Sequence, residues 1–151
     1  MAKVFEEFIY NFYKLEQKKY SVKSEWIDWD MEPLNEISAK YLPKMKTDIS
    51  LESEGKKIII DAKYYKDTLG EGLYKETIQS DHLYQLVEYI RNIENKGGLN
   101  KDCEGILIYP VVDKRFDLGY NLKSHQIKIK TIDLNQNWQN IHTGMLDLIK
   151  N

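Results

Sequence analysis

The chain has 151 residues, of which 42% are hydrophobic and 30% charged, and a formal net charge of −2. That length fits one domain able to bury a core without staples. The lone Cys103 excludes an internal disulfide, a multi-cysteine zinc site and a four-cysteine iron–sulfur cluster.

The N-terminal MAKVFEEF has no signal-peptide core, and no apolar run approaches the roughly 18 residues of a membrane span. A cytoplasmic chain with no membrane partner is expected. The near-neutral charge argues against tight, autonomous DNA binding, though not against an enzyme delivered to DNA by a partner. Val4, Phe5, Phe8, Ile9 and Phe12 recur at helical spacing and predict a helix from Val4 to about Lys19. Val22 to Trp29 alternates loosely as a short strand. The acidic stretch of Asp28, Asp30, Glu32 and Glu36 around Pro33 reads as a loop or short helix.

Lys44 to Ser53 carries the clearest β pattern, with Met45, Thr47, Ile49 and Leu51 on one face. Ser53-Glu54-Gly55-Lys56 is turn chemistry. Lys57 to Tyr65 follows as a β-branched central strand, so the two strands form a hairpin. Asp67 to Gln79, with Gly70 and Gly72, reads as a loop. Ser80 is the expected N-cap of a helix from Asp81 to Asn95, striped by Leu83, Leu86, Val87 and Ile90 and ended by Lys96-Gly97-Gly98. Glu104 to Val112 reads as a buried strand, Ile127 to Leu134 as a half-exposed one, and Trp138 to Lys150 as an amphipathic helix. The fold class is α/β, a single domain over 1–151 with a central mixed sheet flanked by helices.

Three residues on the hairpin suggest chemistry. Asp61 and Lys63 are two apart on a strand and share a face, while Ala62 points into packing. Asp48 sits among apolar residues on the partner strand, where an unpaired carboxylate is costly. Two carboxylates forced together repel unless a cation lies between them. Their hard oxygens suit Mg²⁺, with Mn²⁺ as a substitute. Lys63 would hold the attacking water and offset charge on a phosphate. The plainer reading of Asp61 and Lys63 is a solvated strand-end ion pair, which the buried Ile58–Ile60 run disfavours.

Gln85 and Tyr89, four apart with His82 nearby, flank the apolar stripe of the later helix and can reach a phosphate or water. Glu6 borders the apolar face of the first helix and is a candidate extra metal-side carboxylate; a solvated helix-start acid is the alternative. His125 and His142 lack partners at metal-ligand spacing and read as surface residues. Cys103 reads as a packing residue at a strand start, with no catalytic Cys–His pattern. Lys114, Arg115, Lys123, Lys128 and Lys130 make the C-terminal third locally basic, either a DNA-facing surface or, more commonly, a solvated strand face. No G-x-x-x-x-G-K-[ST] loop occurs, so the chain is not itself an NTPase.

These residues resemble the PD-(D/E)xK nuclease superfamily and, within it, the nuclease domain of McrC subunits of McrBC 5-methylcytosine-dependent restriction systems. The resemblance covers nearly the whole chain. It is carried by Phe5-Glu6-x-Phe8, Met45-Lys46-Thr47-Asp48-Ile49, Ile59-Ile60-Asp61-Ala62-Lys63-Tyr64-Tyr65 and Asp81-x-Leu83-Tyr84-Gln85-Leu86-x-x-Tyr89. The Gln85-x-x-x-Tyr89 element also looks like that of RecB-type nucleases. The resemblance implies a restriction-endonuclease-like αβββαβ core, with Asp48, Asp61 and Lys63 as cleavage residues. The expected function is a Mg²⁺-dependent endonuclease in which Asp48, Asp61 and the Ala62 carbonyl hold the metal. The expected partners are methylated DNA, a McrB-like AAA+ GTPase and a second copy for double-strand cleavage. Members carry an N-terminal region that contacts the GTPase ring, so this chain is expected to be the C-terminal part of a longer protein or a shortened relative. The rival readings are a non-catalytic nuclease-fold subunit bridging a motor to DNA, and a RecB-like repair nuclease.

Overall fold

The computed structural model of the chain describes residues 2–64, 77–112 and 114–150. In chain order the elements are α1 (Ala2–Glu16), β1 (Ser21–Lys23), β2 (Trp26–Ile27), α2 (Glu36–Tyr41), β3 (Met45–Lys46), β4 (Ile49–Glu52), β5 (Lys57–Ala62) and α3 (Ser80–Ile93). Then follow β6 (Glu104–Pro110), β7 (Asp117–Leu122), β8 (His125–Ile132) and α4 (Trp138–Leu148), with two short 3-10 turns between α3 and β6. A six-stranded sheet runs β1-β4-β5-β6-β8-β7, and β2 pairs with β3 in a separate two-stranded piece. This is the expected mixed sheet flanked by helices. The series α1, β1, β4, β5, α3, β6 is its αβββαβ core, and β2, α2 and β3 form an excursion between β1 and β4.

Every residue of β5 and of β6 is buried, because helices cover both faces of these central strands. Alternation then sorts the side chains. Ile58, Ile60 and Ala62 join Phe5, Ile9, Phe12 and Tyr13 of α1 and Met145 and Leu148 of α4 in one core. Ile59 and Leu107 join Leu86, Tyr89, Ile90 and Ile93 of α3 in the other. β5 and β6 are parallel, so α3 is their crossover.

Four expectations change. The single strand over Lys44–Ser53 is two, β3 and β4, interrupted at Thr47–Asp48. Met45 lies in the α3-side core, whereas Ile49 and Leu51 lie in the α1-side core, so the chain switches faces at the break. Hydrogen bonds with residues 24–25 hold it there. The Thr47 amide donates to the Glu25 carbonyl (2.8 Å), and the Ser24 hydroxyl donates to the Asp48 carbonyl (2.8 Å). The Val22–Trp29 strand likewise divides into β1 and β2.

The edge strand β7 is an addition to the predicted elements: Leu118, Tyr120 and Leu122 alternate along it, with Gly119 and Asn121 between them, and it pairs antiparallel with β8. Ser80 is the first helical residue of α3 rather than its cap; Gln79 occupies the cap position and makes no side-chain cap bond. The loop expected over Asp67–Gln79 falls largely, and Tyr65 wholly, outside the described residues.

The basic C-terminal third is mostly matched by acids. Lys128 pairs with Glu104 at 2.8 Å, Arg115 with Asp133 at 2.8 Å, and Lys130 with Asp117. The solvated strand face is the better description.

α3 seats on β6 over Gly105, where a Cβ would lie 2.7 Å from Ile90 Cδ1, 3.2 Å from Ile127 Cδ1 and 3.3 Å from Leu86 Cδ1. Gly105→Val should therefore destabilise the fold by about 1–3 kcal/mol through overpacking, with Gly105→Ala milder. Thermal melts check the order; a valine variant as stable as the parent would refute this packing.

Candidate active site

The β4–β5 register pairs Ile49 with Ile60. One step further along the hairpin sets Asp48 opposite Asp61. Residues directly opposite in an antiparallel pair project to the same face, here the α3 face that Ile59 also occupies. The Ala62 amide donates to Asp48 Oδ2 at 2.9 Å, which ties this carboxylate to the end of β5. The break at Thr47 contributes as well. The Thr47 hydroxyl accepts from the Glu25 amide (2.9 Å) and lies 2.9 Å from Ser50 Oγ. The backbone that presents Asp48 is thereby fixed from both sides.

Asp61 is fully buried, and neither of its oxygens accepts a hydrogen bond from the described residues. Lys63 Nζ stands 3.5 Å from Oδ1, an ion pair longer than a hydrogen bond. Burial, then the adjacent Asp48 carboxylate, pushes the Asp61 carboxyl well above its ordinary range, against the pull of Lys63. A buried carboxylate with open lone pairs, facing a second one, fits a hard divalent cation held by two carboxylates, waters and a substrate phosphate. The same residue whose amide meets Asp48 offers its carbonyl to that side, since both polar groups of a strand residue point the same way.

Lys63 donates to Gln85 Oε1. Gln85 Nε2 in turn donates to the Tyr89 hydroxyl at 2.7 Å. This chain leaves the tyrosine proton free to point at the carboxylates or at a bound phosphate. Tyr89 differs from expectation by joining the buried stripe of α3 rather than flanking it. Only its hydroxyl emerges toward the site, and burial pushes that phenol up to about 12, so it stays protonated at neutral pH. Glu6, in the first turns of α1, is half-buried. Burial first, then the Asp48 carboxylate, raises its pKa, while Lys3 and, less strongly, Lys63 counteract. It therefore lies in the electrostatic neighbourhood of the site. No group of three or more His, Cys, Asp and Glu among the described residues is arranged to hold an ion, so Glu6 does not complete a three-acid cluster with Asp48 and Asp61.

Other candidates fall elsewhere. His82 is buried with Nδ1 2.8 Å from the Tyr109 hydroxyl, and burial lowers its pKa. His125, contrary to expectation, is buried rather than on the surface. Its Nε2 meets Glu94 Oε2 at 2.8 Å, and its Nδ1 lies 2.8 Å from the Cys103 carbonyl and 3.6 Å from Cys103 Sγ. That Cys–His–Glu array looks like a nucleophile's, but the thiol is fully enclosed and pushed up to about 12, so it is a packing device. His142 is half-buried between Phe12 and Trp138, not on the surface. Sequence reasoning missed Ser24, Glu25 and Thr47; a Thr beside an Asp in a strand carries no signal until its partners are known.

Metal-free, Asp61 has a raised folded pKa. Its stabilising contribution is present below the ordinary value near 3.8 and is lost as pH rises through the raised value. In EDTA at pH 8, Asp61→Asn should thus melt a few degrees higher than the parent, with a smaller gain at pH 5; about 1 kcal/mol corresponds to roughly 2–4 °C at this size. A lower melting temperature for Asp61→Asn at pH 8 would contradict the repulsion described.

Residues 1–110, a span containing all of these site residues, match the model of a family described as McrBC 5-methylcytosine restriction system component. The chain is also 33% identical over 148 residues to the type IV methyl-directed restriction enzyme EcoKMcrBC of Escherichia coli (strain K12). That alignment takes in 98% of the chain and 42% of the relative, so the chain spans less than half of the relative's length.

Proposed function

This chain belongs to the family of McrBC 5-methylcytosine restriction system components, and on that footing we propose that it is the DNA-cutting domain of such a system. The reaction is hydrolysis of a phosphodiester bond, dependent on Mg²⁺, with Mn²⁺ able to substitute. The observation that carries this reading is the buried Asp61 carboxylate, unsatisfied by any described donor and facing Asp48 across the hairpin.

Asp48, Asp61 and the Ala62 carbonyl would hold the metal. When bound, it supplies Lewis-acid polarisation of the phosphate and makes a bound water more acidic. The protein's own groups do the rest. Lys63 keeps N–H bonds to spare beyond the one on Gln85, and these orient the attacking water and meet charge gathering on the phosphate oxygens. Gln85 fixes the lysine by accepting from it and fixes Tyr89 by donating to it. The neutral Tyr89 hydroxyl then donates to a phosphate oxygen. Glu6, whose raised pKa favours holding a proton, receives hydrogen bonds from or passes them to the surrounding water. The partners that fit this reading are DNA bearing modified cytosine, a McrB-like AAA+ GTPase, and a second copy of the chain for cutting both strands.

In a plasmid-nicking assay with the GTPase partner present, Asp61→Ala and Lys63→Ala should each abolish cleavage with the fold kept, as judged by circular dichroism. Retained cutting by the double variant would defeat the assignment. Calorimetric titration with Mn²⁺ provides a reading independent of turnover. The parent chain should bind Mn²⁺ and Asp48→Asn/Asp61→Asn should not; undiminished binding by that variant would place the metal elsewhere.

A further inference from the structure

The excursion between β1 and β4 presents a second surface. β2 and β3 have two residues each, too few to stand alone, and their inner pair Ile27 and Met45 is packed into the α3-side core. The outer pair is Trp26 and Lys46, cross-strand partners on the opposite face. Trp26 is 60% exposed. Lys46 Nζ lies 4.7 Å and Lys44 Nζ 5.6 Å from its ring centroid.

Nearby acids are otherwise engaged: Glu25 with Lys57, Asp28 with Lys96 and Asp30 with Asn95. Among the described residues, neither Lys44 nor Lys46 has a carboxylate within ion-pair reach, in contrast to Lys128, Lys130 and Arg115. Lys46 is two residues from Asp48, so their Cα atoms are at most about 7 Å apart. A strand whose phosphate sits at the aspartates would meet this surface at its next nucleotides.

We propose that Trp26, Lys44 and Lys46 form a nucleic-acid contact flanking the cleavage centre, in which an unpaired or frayed base stacks on the indole and the two ammoniums take adjacent phosphates. The inference rests on the nuclease reading. The contacts that the lysines make with the ring are weak at an exposed site, so they exchange readily for a base on the ring and phosphates on the nitrogens. Stacking tolerates any base. The contact therefore adds grip without adding sequence choice, in a chain whose overall charge of −2 supplies no long-range attraction.

Anisotropy of labelled single-stranded and duplex oligonucleotides, with Ca²⁺ in place of Mg²⁺, tests this. Trp26→Ala should weaken single-strand binding at least about fivefold, the loss of one stacked base, and weaken duplex binding less. Trp26→Phe should recover most of the loss. Lys44→Ala/Lys46→Ala should flatten the slope of log affinity against log salt on single strands by about 1.4, whereas Lys18→Ala, an exposed lysine beyond the far end of α1, should leave both quantities unchanged. If the parent cuts DNA, Asp61→Asn does not, and the Trp26 and lysine variants bind DNA like the parent, this proposal falls and the nuclease reading stands. Such a result would assign the surface to a protein partner. A parent chain that neither binds these oligonucleotides nor, with the GTPase partner present, cuts DNA would overturn both.

Discussion

A carboxylate near the end of a wholly buried strand, with no hydrogen bond from the described residues, is the constraint around which the rest is arranged. Leaving an ionised acid unpaired in such a place costs several kcal/mol. Evenly alternating apolar residues would make a more stable β5. The chain instead sets Asp61 there and surrounds it with a second acid, a lysine and a phenol, each on a different support. Asp48 comes from the break just before β4, Lys63 from the residue just past the end of β5, and Tyr89 from the covering helix. Such a group is stable only if a cation or a proton satisfies it.

Precision at Asp48 comes from a polar network rather than from the sheet ladder. Lys57, almost wholly enclosed at the start of β5, pairs with Glu25 at 2.8 Å and Glu52 at 3.4 Å and donates to Asn100 at 2.8 Å. Glu25 in turn accepts from Ser50 Oγ at 3.0 Å, and Ser50 meets Thr47. A buried lysine is tolerated because its ammonium is fully matched. The result is a rigid bracket behind the strand break that aims Asp48 at Asp61. The same break turns β3 outward and exposes Trp26 and Lys46, so one irregularity positions both the acid and the adjoining surface.

α3 serves two purposes with one helix. Leu86, Ile90 and Ile93 seal the sheet, and the residue at four-fold spacing from Gln85 lies at the border of that sealed face. Tyr89 can consequently be both core and site: its ring packs with Leu86 and Ile90 while its hydroxyl meets Gln85. Gly105 lets the helix sit low enough on β6 for this. Below the helix end, the Cys103–His125–Glu94 array ties β6, β8 and the turn after α3 together. Enclosure, rather than residue type, decides that it is structural.

Much of this was legible in the residues alone. The uninterrupted Ile58–Ile60 run marked a central strand, Ser53–Lys56 marked the turn, and a two-residue period put Asp61 and Lys63 on one face. Those features arise from local stereochemistry, which depends only on neighbours in the chain. Tertiary structure alone decided the rest. The division of Lys44–Ser53 into two strands depends on Glu25, some twenty residues away. His125 is buried because Glu94 and Cys103 close over it. In each case the deciding bond joins residues remote in sequence, and no periodicity carries information about which donors a fold will bring to a given acceptor.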